Sequence, residues 1–285
     1  MAWIGQTYAE KLETTNGMSP VQPQDVRYLE LICGALRVCL NYKPACGRGR
    51  IGGVTLEEFQ RIYRDDEFYS WFGLDSPLVY AAHKAAGGMT SIYRQIGIGC
   101  QLLFHRILQD TLALSPADAA WSYKVPTTKG KSRTLALDGR ITIANIAGSP
   151  RRPAVELWLK EAAARLGLKG RNAANLGGAV FEVRQGYKSN DAKRQNADVS
   201  NAASAYAYRY LPVMLLLSVQ IPDNLAERYA RARWLMLRGT VAGSTIDSSY
   251  AFTREVLGYD LAGFFRRNST AIKSETLAVF EGLLK

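Results

Sequence analysis

The sequence predicts an α/β (α+β) fold, and three observations lead there. Two short apolar runs, residues 179–183 and 211–221, have the length and composition of buried strands. Residues 133–143 alternate, with Leu135 and Leu137 followed by Ile141 and Ile143, as a half-buried strand does. Before, between and after these segments, apolar residues recur at helical spacing. The chain divides on this reading into a mostly helical N-terminal region (1–88), an α/β core (89–222) and a C-terminal helical region packed on the core (223–285).

In order, Pro23, Gln24 and Asp25 open a helix with apolar positions at Val26, Leu29, Ile32, Leu36 and Leu40. Residues 43–53, KPACGRGRIGG, form a basic, Gly-rich loop that suits a phosphate backbone or a plain surface equally well. Thr55 and Glu58 make a capping box for a helix through Ile62 and Tyr63. The close-set aromatics Phe68, Tyr69, Trp71 and Phe72 read as core rather than as a base-stacking platform. Gly87-Gly88 breaks the chain, and Thr90 or Ser91 caps a helix over 91–113 with Ile92, Ile96, Cys100, Leu103, Ile107 and Leu108 on its apolar face. Gly97 and Gly99 on that helix imply close packing, and Gln101 sits between its apolar positions. His83 and His105 lack a partner at ligand spacing and read as structural.

Residues 121–125 and 133–143 form an antiparallel hairpin around a cationic turn. Asp138 ends the apolar part of the second strand, before Gly139; taken alone it reads as a turn residue before it reads as a ligand. A helix follows over 154–166, then a basic, Asn- and Gly-rich connection into the strand at 179–183. Residues 196–208 are an Ala-rich helix, and 211–221, the most hydrophobic run, a buried strand. Residues 224–237 form an amphipathic helix with Arg228, Arg231 and Arg233 toward its wet side; helices over 251–265 and 271–284 close the chain.

Composition narrows the partners. The chain of 285 residues is 47% hydrophobic, with 36 Lys+Arg against 25 Asp+Glu and a net charge of +11. A basic protein is drawn to polyanions, nucleic acid first among them. Cys33, Cys39 and Cys46 are spaced too widely for a zinc knuckle; with Cys100 they read as free thiols of a reducing compartment. No apolar run reaches the roughly 18 residues of a spanning helix, and the first residues resemble neither signal nor transit peptide, so a cytoplasmic protein without membrane contact is expected. No P-loop, zinc signature or GxSxG motif points to another chemistry.

The stretch 177–201, GGAVFEVRQGYKSNDAKRQNADVSN, concentrates the chemistry. Glu182 is a lone acid on a buried-looking strand, which is costly unless the acid is paired or metal-bound. A polar segment rich in Lys, Arg, Gln and Asn follows and suits a phosphate backbone. The order helix, strand, strand with Asp138, helix, strand with Glu182, helix, strand resembles the core of the PD-(D/E)XK nucleases, type II restriction endonucleases among them.

That resemblance implies a restriction-endonuclease-like core of a mixed β-sheet flanked by helices. It implies Mg²⁺ held by Asp138 and Glu182. The family's Lys falls on Arg184, which keeps its charge but cannot act as a general base; Lys188, on the same strand face if the strand continues, is a substitute. The letters Asp191-Ala192-Lys193 also match, but Asp191 looks like a helix cap and ranks below Glu182. The helix between Asp138 and Glu182 is a further departure. Lys193, Arg194, Gln195, Asn196 and Asn201 are candidate DNA contacts, as base readers or as phosphate-positioning and capping residues. The expectation is a Mg²⁺-dependent, sequence-specific endonuclease acting on double-stranded DNA, as a homodimer matched to a palindrome. The alternative is a non-catalytic nucleic-acid-binding protein or subunit of a larger nucleic-acid-processing complex.

Overall fold

The computed structural model describes residues 22–45, 53–126, 132–170, 175–187 and 192–284. Helix α1 (Asp25–Arg37) buries Tyr28, Leu29, Ile32, Cys33 and Leu36 as one stripe, while Val26 and Leu40 stay exposed. Helix α2 (Leu56–Arg64) starts at the expected capping box: the Glu58 amide donates to Thr55 Oγ1 at 3.3 Å, and the Thr55 amide to Glu58 Oε2 at 3.0 Å. The short helix α3 (Glu67–Trp71) follows.

Helix α4 (Pro77–Leu112) corrects the expected break at Gly87-Gly88. It starts at Ser76, whose Oγ accepts from the Val79 amide, with Pro77 in the first turn where its missing N–H costs nothing. It runs unbroken through both glycines because they are sites of close approach. A Cβ on Gly87 would overlap the Tyr42 hydroxyl, and one on Gly88 would press on Leu283. Packing from outside the helix overrides the propensity cost of about 1 kcal/mol per glycine.

After the short helix α5 (Pro116–Ala119), strands β1 (Trp121–Pro126) and β2 (Ser132–Leu137) form the expected antiparallel hairpin. Asp138 then bends the chain, and β3 (Gly139–Thr142) leaves the hairpin to pair antiparallel with β4 (Gly178–Arg184). Helix α6 (Arg152–Arg165) lies between β3 and β4 in sequence. Helix α7 (Ala192–Ala207) connects β4 to β5 (Tyr210–Leu216), and α8 (Asp223–Arg231) connects β5 to β6 (Leu235–Leu237). The four-stranded sheet has the order β3-β4-β5-β6; β3 is antiparallel to β4, and β4, β5 and β6 are parallel. The protein is therefore a mixed α/β structure.

Helices cover both faces of the sheet, which is why β4 and β5 read as nearly continuous apolar runs. Phe181, Val183, Val213 and Leu215 face the larger core with α1, α4, α6 and the C-terminal helix; Trp158 and Phe252 pack about Phe181. Val180, Met214 and Leu216 face α7 and α8 through Ala202, Ala205, Leu225 and Tyr229, where the hairpin adds Trp121, Tyr123 and Leu137.

Two further segments differ from the sequence reading. The helix expected over 224–237 ends at Arg231; Arg233 takes a left-handed φ of 58°, and Leu235–Leu237 becomes the edge strand. An apolar triplet beside a strand lacking a neighbour gains more by pairing than by continuing the helix. Near the C-terminus, a short helix α9 (Ser249–Ala251) passes into a π-helical turn (Phe252–Leu257) that stops at Gly258. A single helix α10 (Leu261–Leu284) then replaces the second part of the expected pair. Asn268 stays within it, its side-chain amide donating to the Phe264 carbonyl at 2.9 Å.

Cys33, Cys39 and Cys100 are buried free thiols, as expected, and Cys46 lies outside the described residues. Burial pushes the Cys33 thiol up to about 11 and the Cys100 thiol up to about 12. His105 contacts Gln109, and His83 packs beside Phe59 and Tyr63. Among the described residues no helix is long and apolar enough to cross a membrane.

One buried ion pair ties α1 to α10. Asp25 is fully buried and accepts from Arg267 Nε at 2.8 Å, Arg267 Nη2 at 3.2 Å and the Tyr259 hydroxyl at 2.9 Å. Removing one partner of such a pair strands the other charge. Asp25→Ala is expected to cost about 3–5 kcal/mol of stability by urea unfolding; a loss below about 1 kcal/mol, the size of a surface pair, would show that Arg267 finds water instead.

Candidate functional site

The site forms where β4 runs past the bend at Asp138. The register closes at Gly139↔Phe181, and Glu182 follows on β4. The Asp138 amide also donates to the Phe181 carbonyl at 2.8 Å, so Asp138 and Gly139 both oppose Phe181, a β-bulge that ends the ladder one residue short of Glu182. The Asp138 carboxylate is held from two sides: Oδ2 accepts from the Val183 amide at 2.8 Å and from Gln101 Nε2, on α4, at 3.2 Å. Asp138 is thus more than the turn residue that its own segment suggests.

Glu182 and Arg184 share a strand face by the period of two. Glu182 is 7% exposed, and its Oε1 pairs with Arg184 Nη2 at 2.5 Å. A second carboxylate, Asp198 on α7, lies 3.5 Å from the same Nη2 and is 2% exposed. Burial works against the charged guanidinium. The carboxylates of Glu182 and Asp198 outweigh that cost, with Tyr187 and Asp138 adding to them, and hold Arg184 above its usual range. Arg184 is a fixed cation here. Its Nε is buried and has no hydrogen-bond partner among the described residues, an uncommon state that a ligand oxygen would relieve.

Asp198 is fastened by aromatic donors. The Tyr229 hydroxyl donates to its Oδ2 at 2.6 Å, Tyr187 approaches the same oxygen at 3.5 Å, and the Trp234 indole donates to its backbone carbonyl at 3.1 Å. The Tyr187 hydroxyl also lies 3.1 Å from that of Tyr229. Burial, with the neighbouring Asp198 carboxylate, pushes the Tyr187 phenol up to about 12, so it remains a neutral donor.

Sequence reasoning singled out neither Asp198 nor the tyrosines. A signal existed. Asp198, Asn201, Ala202 and Ala205 follow i, i+3, i+4, i+7, the sheet-facing stripe of α7, and all four are buried. An acid on a stripe of small residues demands a partner from the opposing strand.

The other expected residues divide. Asn201 is buried, and its Oδ1 accepts from the Tyr123 hydroxyl at 2.5 Å, so it locks α7 to the hairpin; this corrects its assignment as a DNA contact. Gln195 Oε1 accepts from Arg228 Nη1 at 2.8 Å, and Asn196 Oδ1 accepts from Arg228 Nη2. Arg228, read as a solvated cation, therefore fastens the start of α7 to α8. Lys193 and Arg194 lie on α7, with side chains outside the described residues; Lys188 and Asp191 lie outside them altogether.

Among the described residues no group of three or more His, Cys, Asp or Glu is arranged to hold a metal ion. Asp138 and Glu182 are a two-carboxylate set. Mg²⁺ keeps several waters and is commonly bound by one or two carboxylates plus substrate phosphates, so the donor type and number fit it. Glu182 and Asp198 flank the Arg184 guanidinium, and the Asp138 carboxylate is near enough to add to their field. Comparison with protein-family models, with curated proteins and with solved structures finds nothing that matches this chain.

Proposed function

We propose that the protein is a Mg²⁺-dependent, sequence-specific endonuclease of the restriction type, hydrolysing phosphodiester bonds in double-stranded DNA. The observation that carries this reading is the Asp138 carboxylate fastened to β4 by the Val183 amide, next to Glu182, with Arg184 Nε, unpartnered among the described residues, one residue further along. The order of elements supports it: α4, the β1–β2 hairpin, the bent strand through Asp138, β4, α7, and β5 parallel to β4. A restriction-endonuclease-like core has that order, apart from the added helix α6. The net charge of +11 favours a polyanionic substrate.

In this reading Asp138 and Glu182 would hold Mg²⁺, which when bound supplies Lewis-acid polarisation of the phosphoryl oxygen and offsets the charge that develops there. Gln101 and the Val183 amide fix the direction of the Asp138 carboxylate. Arg184 donates through Nε to a non-bridging oxygen of the scissile phosphate while Nη2 keeps its bond to Glu182. It does not take the proton from the attacking water, because a guanidinium held charged by two carboxylates has no lone pair to offer. Asp198, Tyr229 and Tyr187 keep that guanidinium in place.

A second reading, nucleic-acid binding without cleavage, draws on Arg184 standing where the family has Lys. Plasmid DNA separates the two. Discrete fragments in Mg²⁺ that vanish in EDTA support the nuclease; gel retardation with intact plasmid under both conditions supports the binder.

Glu182→Gln and Asp138→Asn are each expected to reduce cutting by at least about 100-fold with DNA affinity retained; cutting at the wild-type rate removes that residue from the site. Arg184→Lys keeps the charge but not the Nε donor. It is expected to lower the single-turnover cleavage rate by about 10²–10³-fold, the usual loss for one donor to a developing anion. An unchanged rate would assign that donor elsewhere.

A further inference from the structure

The aromatic cluster read from the sequence as core is on the surface. Phe68 is 57% exposed, Trp71 76% and Phe72 67%; Tyr69 and, at the start of α4, Leu78 are exposed beside them. The rings lean on one another, Phe68 against Phe72 at 5.2 Å and Tyr63 against Tyr69 at 5.2 Å, so they present one face. Beneath lies a small core separate from the two that flank the sheet: Val54 and Phe59 with Ile62, Tyr63, Val79 and Tyr80. The unit is built from α2, α3 and the first turns of α4, before α4 meets Tyr42 at Gly87. Arg64, 3.6 Å from Asp75, braces α2 against the segment leading into α4. A contiguous exposed apolar face of this kind marks an interaction site.

Charge identifies what covers it. Residues 55–78 hold six acids (Glu57, Glu58, Asp65, Asp66, Glu67, Asp75) against Arg61 and Arg64, so this segment carries −4 in a chain of +11, leaving +15 on the remainder. That sign repels a nucleic-acid backbone, so the rings are not a base-stacking platform for DNA. It attracts a basic protein surface, and the rest of this chain is one. We propose that the face bearing Trp71 and Phe72 docks on the basic surface of a second copy of the chain. In a two-fold pair each copy gives its aromatic face to the other, so the contact occurs twice and the assembly closes. Aromatic anchors ringed by charge are the composition of an interface centre. The inference does not rest on the nuclease reading.

Sedimentation velocity at low salt tests it, beside a variant carrying Trp71→Glu and Phe72→Glu. Both side chains are exposed, so the helix content by circular dichroism is expected to stay unchanged. Wild type is expected to sediment with the mass of two chains, and the variant to dimerise at least about 30-fold more weakly, the loss expected on removing an interface anchor. A second variant, Asp65→Lys with Glu67→Lys, leaves the rings and the Asp66 cap of α3 in place and is expected to weaken the dimer through charge. A single-chain mass for wild type overturns the proposal, as does a dimer unaffected by either pair of substitutions. Quenching of Trp71 fluorescence by DNA bound to a single chain overturns it in favour of a nucleic-acid contact.

Discussion

A charged pair on a buried central strand governs the arrangement of one side of the sheet. Glu182 and Arg184 lie on β4, between two apolar layers, where neither is tolerated without partners. Everything that meets that face is fitted to them. Helix α7 carries alanines, so it can come close, and Asp198 at the point where Arg184 needs a second carboxylate. Helix α8 brings Tyr229 to Asp198, the chain after β4 brings Tyr187, and the turn before β6 brings Trp234. The opposite face is filled by apolar side chains, Phe181, Val183, Val213 and Leu215 among them. One face is specified by charge satisfaction, the other by volume.

This division explains how the candidate site is kept rigid. Glu182 is fixed by its own strand neighbour, and Asp138 by a backbone amide of that strand together with Gln101 from α4. One acid is oriented from within the strand and the other from α4, yet both report to β4. Such constellations depend less on the reacting groups than on the side chains that leave them few rotamers.

Much of this was legible in the sequence, and the reasons for the rest are specific. The runs at 179–183 and 211–221 and the alternation at 133–143 carry their own evidence of strand, because both faces or one face must be apolar. The placing of Asp138 against β4 followed from the order of elements, since nothing local joins residues so far apart in the chain. Gly87-Gly88 misled because intrinsic propensity favours a break, and only tertiary contact with Tyr42 and Leu283 reverses it. Leu235–Leu237 misled because an apolar triplet has no period of its own and follows the open edge it meets. Phe68 to Phe72 misled because burial was assigned by residue type, although Phe68, Trp71 and Phe72 are exposed among the described residues. Asn201 has the chemistry of a base reader; its burial depends on where Tyr123 sits, 78 residues earlier.

The clamp between the first described helix and the last has a consequence for how the chain is made. Asp25 is neutralised by Arg267, 242 residues downstream. During synthesis at roughly 5–20 residues per second, α1 waits some 10–50 seconds for the residue that lets its acid be buried. Until then its apolar stripe, Tyr28 to Leu36, lacks α10, and the sheet core lacks one of its walls. The interior can close only after Arg267 and the rest of α10 have left the ribosome, so a product truncated before that helix stays open.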